Sequence, residues 1–273
     1  MFELIALVVA LVGSLAVGLW DLKTSNVPGK IVFPMLALGI ILHAASSFFS
    51  GSYVPFVISL EIGIAFSLFG IMMYYLGAWG DGDSALFAAM GFLVPRAFDF
   101  AAATFLPFAF SYFINVFIIG AFYTIAYSTV LVFRNAKLKN SVVKDIRKDA
   151  KFYPFLLAIP LAVYYFFPIK AAAFLAVLIA IMLPLYRVSR VIEKGLSRRI
   201  STRDLREDDI VGQNISFLNI SKRYIRGLTK AEVRVIRRKM KFVLVKDGIR
   251  YTLVFFLALA FTLAFGDFFS FLV

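Results

Sequence analysis

The sequence predicts an all-α polytopic membrane protein, and three observations carry that prediction. Of its 273 residues, 62% are hydrophobic and 17% aromatic, well above the apolar share of about 45–50% usual in soluble domains. The apolar residues fall in runs of about 20, the length needed to cross the hydrocarbon of a bilayer. The net charge is +13, and the basic residues gather in a few loops. A soluble enzyme is excluded.

Eight segments read as spans: Phe2–Trp20, Ile31–Phe49, Tyr53–Leu76, Ser84–Pro95 and onward, Thr104–Phe133, Phe152–Phe167, Ala171–Tyr186 and Tyr251–Leu272. The first opens with Glu3 and no small-residue cleavage site follows it, so it is expected to remain as a membrane helix and not to be removed as a signal peptide. Pro95, Arg96 and Asp99 interrupt the fourth. The sixth and seventh are short and meet at Pro168-Ile169-Lys170, as a tight hairpin or a re-entrant pair. A six-span chain, with 152–186 dipping in and out, is the alternative. If the N-terminus lies outside, loops 21–30, 77–83, 134–151 and 187–250 face the cytoplasm. Those loops hold 27 of the 29 Lys and Arg, as the positive-inside rule requires. The chain then divides into an N-terminal membrane part (1–133), a basic cytoplasmic loop with a helical hairpin (134–186), a small basic cytoplasmic subdomain (187–250) and a last span (251–273). Its expected place is the cell membrane, with both termini outside.

Within 187–250 the clearest helix begins at Thr229. Thr229 and Glu232 form a capping box, with Leu228 and Val233 at hydrophobic-staple positions. Val233, Ile236, Met240 and Val243 mark one apolar face at helical spacing, and Gly248 is the expected stop. Arg234, Arg237, Arg238, Lys239 and Lys241 crowd the rest. Such a helix suits anionic headgroups. A nucleic-acid partner is not expected, because the basic face follows from membrane orientation and no recognition motif accompanies it.

Composition also limits the chemistry. There is no cysteine and only one histidine, His43, so disulfides, thiol nucleophiles, a Ser-His-Asp triad and a multi-His metal centre are excluded or nearly so. No cofactor or metal is expected. Carboxylates in or beside spans are costly and therefore informative. Of Glu3, Asp21, Glu61, Asp81, Asp83, Asp99 and Asp267, only Asp21, Asp81 and Asp83 fall at the cytoplasmic interface. Trp20 precedes Asp21, and Trp79 precedes Gly80-Asp81-Gly82-Asp83. Tryptophan favours the headgroup boundary, so both acidic clusters are expected at one depth, and Gly77, Gly80 and Gly82 allow close approach. Two carboxylates in contact share a proton and titrate as a pair. One can act as general base on water and the other as general acid, which gives peptide hydrolysis without metal, thiol or histidine. The plain structural reading is two aspartates that cap helices or pair with Lys23 and Lys30.

At these residues the sequence resembles the prepilin peptidase family, in particular its archaeal preflagellin (prearchaellin) branch of Gly-x-Gly-Asp membrane aspartic proteases. The first motif aspartate ends the first helix and precedes a basic segment with a hydrophobic-Pro pair, here Asp21-Leu22-Lys23-Thr24-Ser25-Asn26-Val27-Pro28. The second closes Gly80-Asp81-Gly82-Asp83. Residues 203–213 and 227–233 also look like the C-terminal region of the archaeal branch. The resemblance implies that Asp21 and Asp83 are the catalytic pair. The implied substrate is an archaellin or type IV pilin-like precursor, cut between a short basic leader and a hydrophobic helix. Asp81 stands at the variable motif position and inherits no role from the resemblance; contact with the basic leader is one reading of it, against a solvent-facing or loop-capping residue, and Asp204, Glu207, Asp208 and Asp209 are further candidate acids for the leader. Ala85 stands where bacterial members often have lysine, and their paired cysteines are missing, so methyl transfer is not carried over. Competing readings are a presenilin or signal-peptide-peptidase type, for which Pro-Ala-Leu is lacking, a Ser25/Lys23 signal peptidase, and a transporter or assembly scaffold using Glu61, Asn115 and His43.

Overall fold

The computed structural model describes residues 1–96, 101, 102, 104, 106–134, 136–149, 158, 162, 165, 192, 197–207, 209–221, 226–246, 250–266 and 268. The predicted sixth and seventh spans, apart from three isolated positions, lie outside these residues, as do Asp99, Asp208, Gly248 and Asp267.

The described chain is mostly helical, as its apolar runs require. Four helices are long and apolar enough to cross a membrane: α1 Phe2–Thr24, α2 Gly29–Ser50, α3 Val54–Tyr75 and α5 Phe108–Arg134. Each begins or ends on a local signal. α1 runs past Trp20 and stops at Ser25, which takes the left-handed conformation (φ 56°, ψ 31°). Extended Pro28 precedes α2, Gly51 closes it with φ 66°, and a proline at its first turn starts α3.

The fourth predicted span differs from the others. Helix α4, Asp81–Leu93, has 13 residues and at 1.5 Å per residue reaches only about 20 Å. Ser84 and every residue from Leu86 to Leu93 are buried. A helix apolar on all sides belongs in a core, and α4 forms the axis around which α1, α2 and α3 pack. At its C-terminal end Arg96 pairs with Glu3 at the start of α1, so α1 and α4 run antiparallel. Another 13-residue helix, labelled α8 below, covers Leu253–Phe265 and packs against α1 and α5.

The segment predicted as a basic loop, 134–151, is largely helical: α6 spans Ala136–Asp149. Leu138, Val142 and Ile146 repeat at four-residue spacing among its lysines, which is an amphipathic pattern. The subdomain has a core of its own. Strands β1 (Arg198–Ser201), β2 (Ile210–Val211) and β3 (Phe242–Lys246) form an antiparallel sheet in the order β1-β3-β2. Helix α7, Lys230–Lys239, lies between β2 and β3 in the chain. Leu205, Val211, Ile215, Ile220, Leu228, Val233, Ile236, Val243 and Val245 are buried together. The capping box is as predicted: Glu232 N–H donates to Thr229 Oγ1 at 3.3 Å, and Thr229 N–H donates to Glu232 Oε2 at 2.9 Å. The helix, however, ends at Lys239 and not near Gly248. Met240 is extended (φ −134°, ψ 149°), and beyond it burial alternates, with Val243 and Val245 inside. The apparent helical spacing of Val243 is in fact the two-residue period of a strand.

Candidate active site

Asp21 lies in the last turn of α1 and is 6% exposed. Asp83 lies in the first turn of α4. The antiparallel packing of these helices brings both to one end of the bundle. Each accepts or shares a hydrogen bond with a third residue: Thr252 Oγ1 is 2.8 Å from Asp21 Oδ2 and 3.0 Å from Asp83 Oδ1. The two carboxylates are within electrostatic reach of each other.

Asp83 also serves its own helix. Gly80 N–H donates to Asp83 Oδ2 at 3.2 Å, closing a capping box at the start of α4. The capping role and the meeting with Asp21 therefore coexist, one on each carboxyl oxygen. Neither aspartate pairs with Lys23 or Lys30 among the described contacts. Gly82 has a packing reason to be glycine. A Cβ built there would overlap the side chain of Val27, so the Val-Pro pair after Asp21 and the Gly-x-Gly-Asp turn interlock.

The turn after Asp21 is held in place from α8. The guanidinium of Arg250 donates to the Leu22 carbonyl and, at 2.9 Å, to Ser25 Oγ. It places positive charge within reach of Asp21. Tyr123 in turn donates to the Arg250 carbonyl at 2.8 Å. Ser25, weighed above as a nucleophile, is thus tied to arginine.

A cavity of about 80 Å3 opens on the pair. It is lined by Asp21, Ser25–Val27, Gly80–Asp83 and Arg250–Thr252, and by Ile210 and Gly227 from the subdomain. Since a water takes about 30 Å3, the cavity has room for a few waters. Beside it is a larger cavity of about 430 Å3, whose lining includes Lys23, Arg198, Arg206, Lys246 and Arg250 against Glu207 and Asp209. Its charge balance is positive. Asp81 is exposed, with Oδ1 accepting from Gly82 N–H at 2.9 Å. Arg226 of the subdomain is bidentate to Glu232, at 3.0 and 2.5 Å, and lies within electrostatic reach of Asp81. The Arg226 hydrogen bonds pull the Glu232 carboxyl down to about 2.

One expectation needs correction. Trp20 is exposed, as a boundary residue should be, but Trp79 is 4% exposed. Trp79 packs on Phe69, Phe87, Tyr251 and Phe255, because α4 lies inside the bundle and its preceding turn goes with it. His43 is buried, and its Nε2 reaches the Leu93 carbonyl at the end of α4 (3.3 Å). Asn115 donates to Thr262 Oγ1 and to the Gly266 carbonyl, while Glu61 is exposed on α3. These three polar groups stand on three different helices, α2, α5 and α3. No cluster of metal-ligating side chains occurs among the described residues.

Sequence reading missed Thr252, Arg250, Ile210 and Gly227. A signal for the first two was present: they open the last predicted span from the cytoplasmic side, at the depth assigned to both aspartates.

The chain is 26% identical over 108 residues to Prepilin peptidase EppA of Methanothermobacter thermautotrophicus, a match covering 40% of this chain and 28% of that protein. It is 29% identical over 92 residues to the Preflagellin peptidase of Methanococcus voltae, covering 34% of this chain and 39% of that one. Each match therefore spans well under half of the relative's length. No solved structure matches. Residues 8–127, which carry both aspartates, match the Type IV leader peptidase family, and the resemblance first read from the two aspartate motifs is to that family.

Proposed function

We propose that this protein is a membrane aspartic endopeptidase that removes the short basic leader from archaellin or type IV pilin-like precursors. The observation that carries the reading is the meeting of Asp21 and Asp83, from antiparallel helices, over one small cavity at the end of the bundle. The family match over the segment holding both acids supports the same chemistry.

The reaction follows from the pair. With one proton shared between two carboxyls, the ionised member takes a proton from a cavity water, and the water oxygen attacks the scissile carbonyl. The protonated member donates to the carbonyl oxygen, giving a neutral tetrahedral gem-diol. Return of a proton to the amide nitrogen lets the C–N bond break, and the shared proton is restored.

The charge bias of the loops supports a cytoplasmic position for this end of the bundle, with the N-terminus outside. Anionic headgroups are the partner of the basic loops and subdomain surface. The leader is received near Asp81, since the larger cavity is itself positive. Nucleic acid has no part in the function.

The test is precursor processing by Asp21→Asn and Asp83→Asn in full-length protein reconstituted in bilayers. Each should lose at least about 100-fold in rate, the order of general acid–base assistance, with insertion intact. Near-normal cleavage by either variant would overturn the aspartic mechanism. Processing that never occurs, even in the wild type, would favour a transporter or scaffold.

A further inference from the structure

Thr252 is fully buried, and its hydroxyl lies between the two carboxyls, 2.8 Å from Asp21 Oδ2 and 3.0 Å from Asp83 Oδ1. A hydroxyl has one proton to donate and lone pairs with which to accept. It can donate to only one of these oxygens. The second contact is a hydrogen bond only when the other carboxyl is protonated and donates to Thr252 Oγ1. With both acids ionised, a carboxylate oxygen would face a hydroxyl lone pair with no proton between them. The bridge is satisfied only when the pair holds at least one proton, and of the states that meet this condition the singly protonated one keeps a carboxylate as base. That is the state from which one base and one acid can act.

We infer that Thr252 is a positioning residue of the aspartate pair, bridging Asp21 and Asp83 and holding them in the singly protonated arrangement. This rests on the reading of those acids as the catalytic pair, and it extends the site to α8, beyond the segment that matches the family. The bridge is anchored on both sides. Arg250 bonds the turn after Asp21, and Tyr251 donates to the Val116 carbonyl at 3.1 Å. Gly18 lets α8 come close to α1: a Cβ there would stand 2.8 Å from Leu253 Cα. Thr252 acts through the two acids, so it governs turnover more than substrate capture.

The experiment compares Thr252→Val, which keeps the shape, with Thr252→Ser, which keeps the hydroxyl. Both are made in the full chain in bilayers, with Asp21→Asn alongside. Val should lower kcat roughly tenfold or more with KM little changed, and Ser should keep most of the wild-type kcat. The inference is overturned if Val turns over normally, if its loss lies in KM, or if Ser and Val lose equally. If the Val variant does not fold, Thr252→Ala set against Ser gives the same comparison. An Asp21→Asn variant that still cleaves sinks the aspartic reading itself. One that is dead beside an active Val variant sinks only the bridge.

Discussion

The same two helices, α1 and α4, meet at both ends, and the two ends use charge in opposite ways. At one end Glu3 pairs with Arg96. At the other, two acids, Asp21 and Asp83, are joined through a neutral hydroxyl. The Glu3–Arg96 pair needs nothing more: opposite charges, each roughly a third exposed (31% and 40%), contribute at most about 1 kcal/mol. The Asp21–Asp83 end is satisfied only with a shared proton, buried surroundings and a third residue brought from a distant part of the chain. A like-charge pair costs stability, and an arrangement that supports it at such cost is where chemistry is expected.

The largest effect should come from relieving the like-charge end. Asp83→Asn removes one of the two charges while keeping an oxygen for Gly80. Activity should fall at least about 100-fold, while the thermal midpoint of the reconstituted protein stays level or rises. A variant that is both inactive and strongly destabilised would mean that Asp83 serves chiefly as the α4 cap.

Next in size is Gly82→Ala. The added methyl overlaps Val27, so it should push the Gly80–Asp83 turn away from Asp21 and cut turnover about tenfold, with overpacking costing roughly 1–3 kcal/mol. Adding Val27→Gly should recover part of the activity, and a double-mutant cycle on kcat measures the coupling. Additive losses would show that the two motifs do not interlock.

Glu3→Gln breaks the opposite-charge end. Processing should be unchanged and stability should drop by no more than about 1 kcal/mol. A large loss of activity would mean that the two ends of α1 are coupled, contrary to their separate roles.

The subdomain gives a pH signature. The Glu232 carboxyl sits at about 2 when folded, against an ordinary 4.5, because Arg226 and the Thr229 cap favour its charged form. A carboxyl depressed on folding stabilises above its unfolded value, and that stability is lost as pH falls through the folded one. Hydrogen-exchange protection of residues 229–239, corrected for intrinsic rates, should therefore decline between about pH 4.5 and 2. In Glu232→Gln it should be lower at neutral pH and flat across that range.

The smallest effect is expected at Asp81. Charge reversal there should raise KM for a lysine-rich leader, more at low salt, since screening acts over about 10 Å at 0.1 M. A precursor with neutral leader residues should not respond. Equal loss for both leaders would show that Asp81 shapes the catalytic turn and does not read charge.

Much of this was legible before folding. Helices α1, α2, α3 and α5 follow from apolar runs alone, because a bilayer demands about 20 apolar residues and rewards nothing subtler. The Thr229–Glu232 cap is a local hydrogen-bond pattern and survives into the structure. Asp21 and Asp83 could be singled out because topology sorts acids by depth. Three features were not legible, for related reasons. Val243 fits helix and strand spacing equally, and only its sheet partner Ile200 resolves the choice. Trp79 carries the same side chain as Trp20, but α4 lies inside the bundle and takes the Trp79 turn with it. Thr252 is more than 160 residues from either aspartate; its place at the start of the last predicted span gives its depth, but nothing local in Arg250-Tyr251-Thr252 marks it as the residue between them.

The sequence by itself determined which segments are apolar enough for a bilayer, the direction of the charge bias and the two acids proposed to do the chemistry, since hydropathy, charge and residue type are properties of local composition. Only the tertiary structure decided that α4 is the core of the bundle, that Gly82 must clear Val27, and that a hydroxyl from α8 stands between the acids. Those depend on which surfaces meet, and close packing across distant parts of a chain leaves no periodic trace in any one of them.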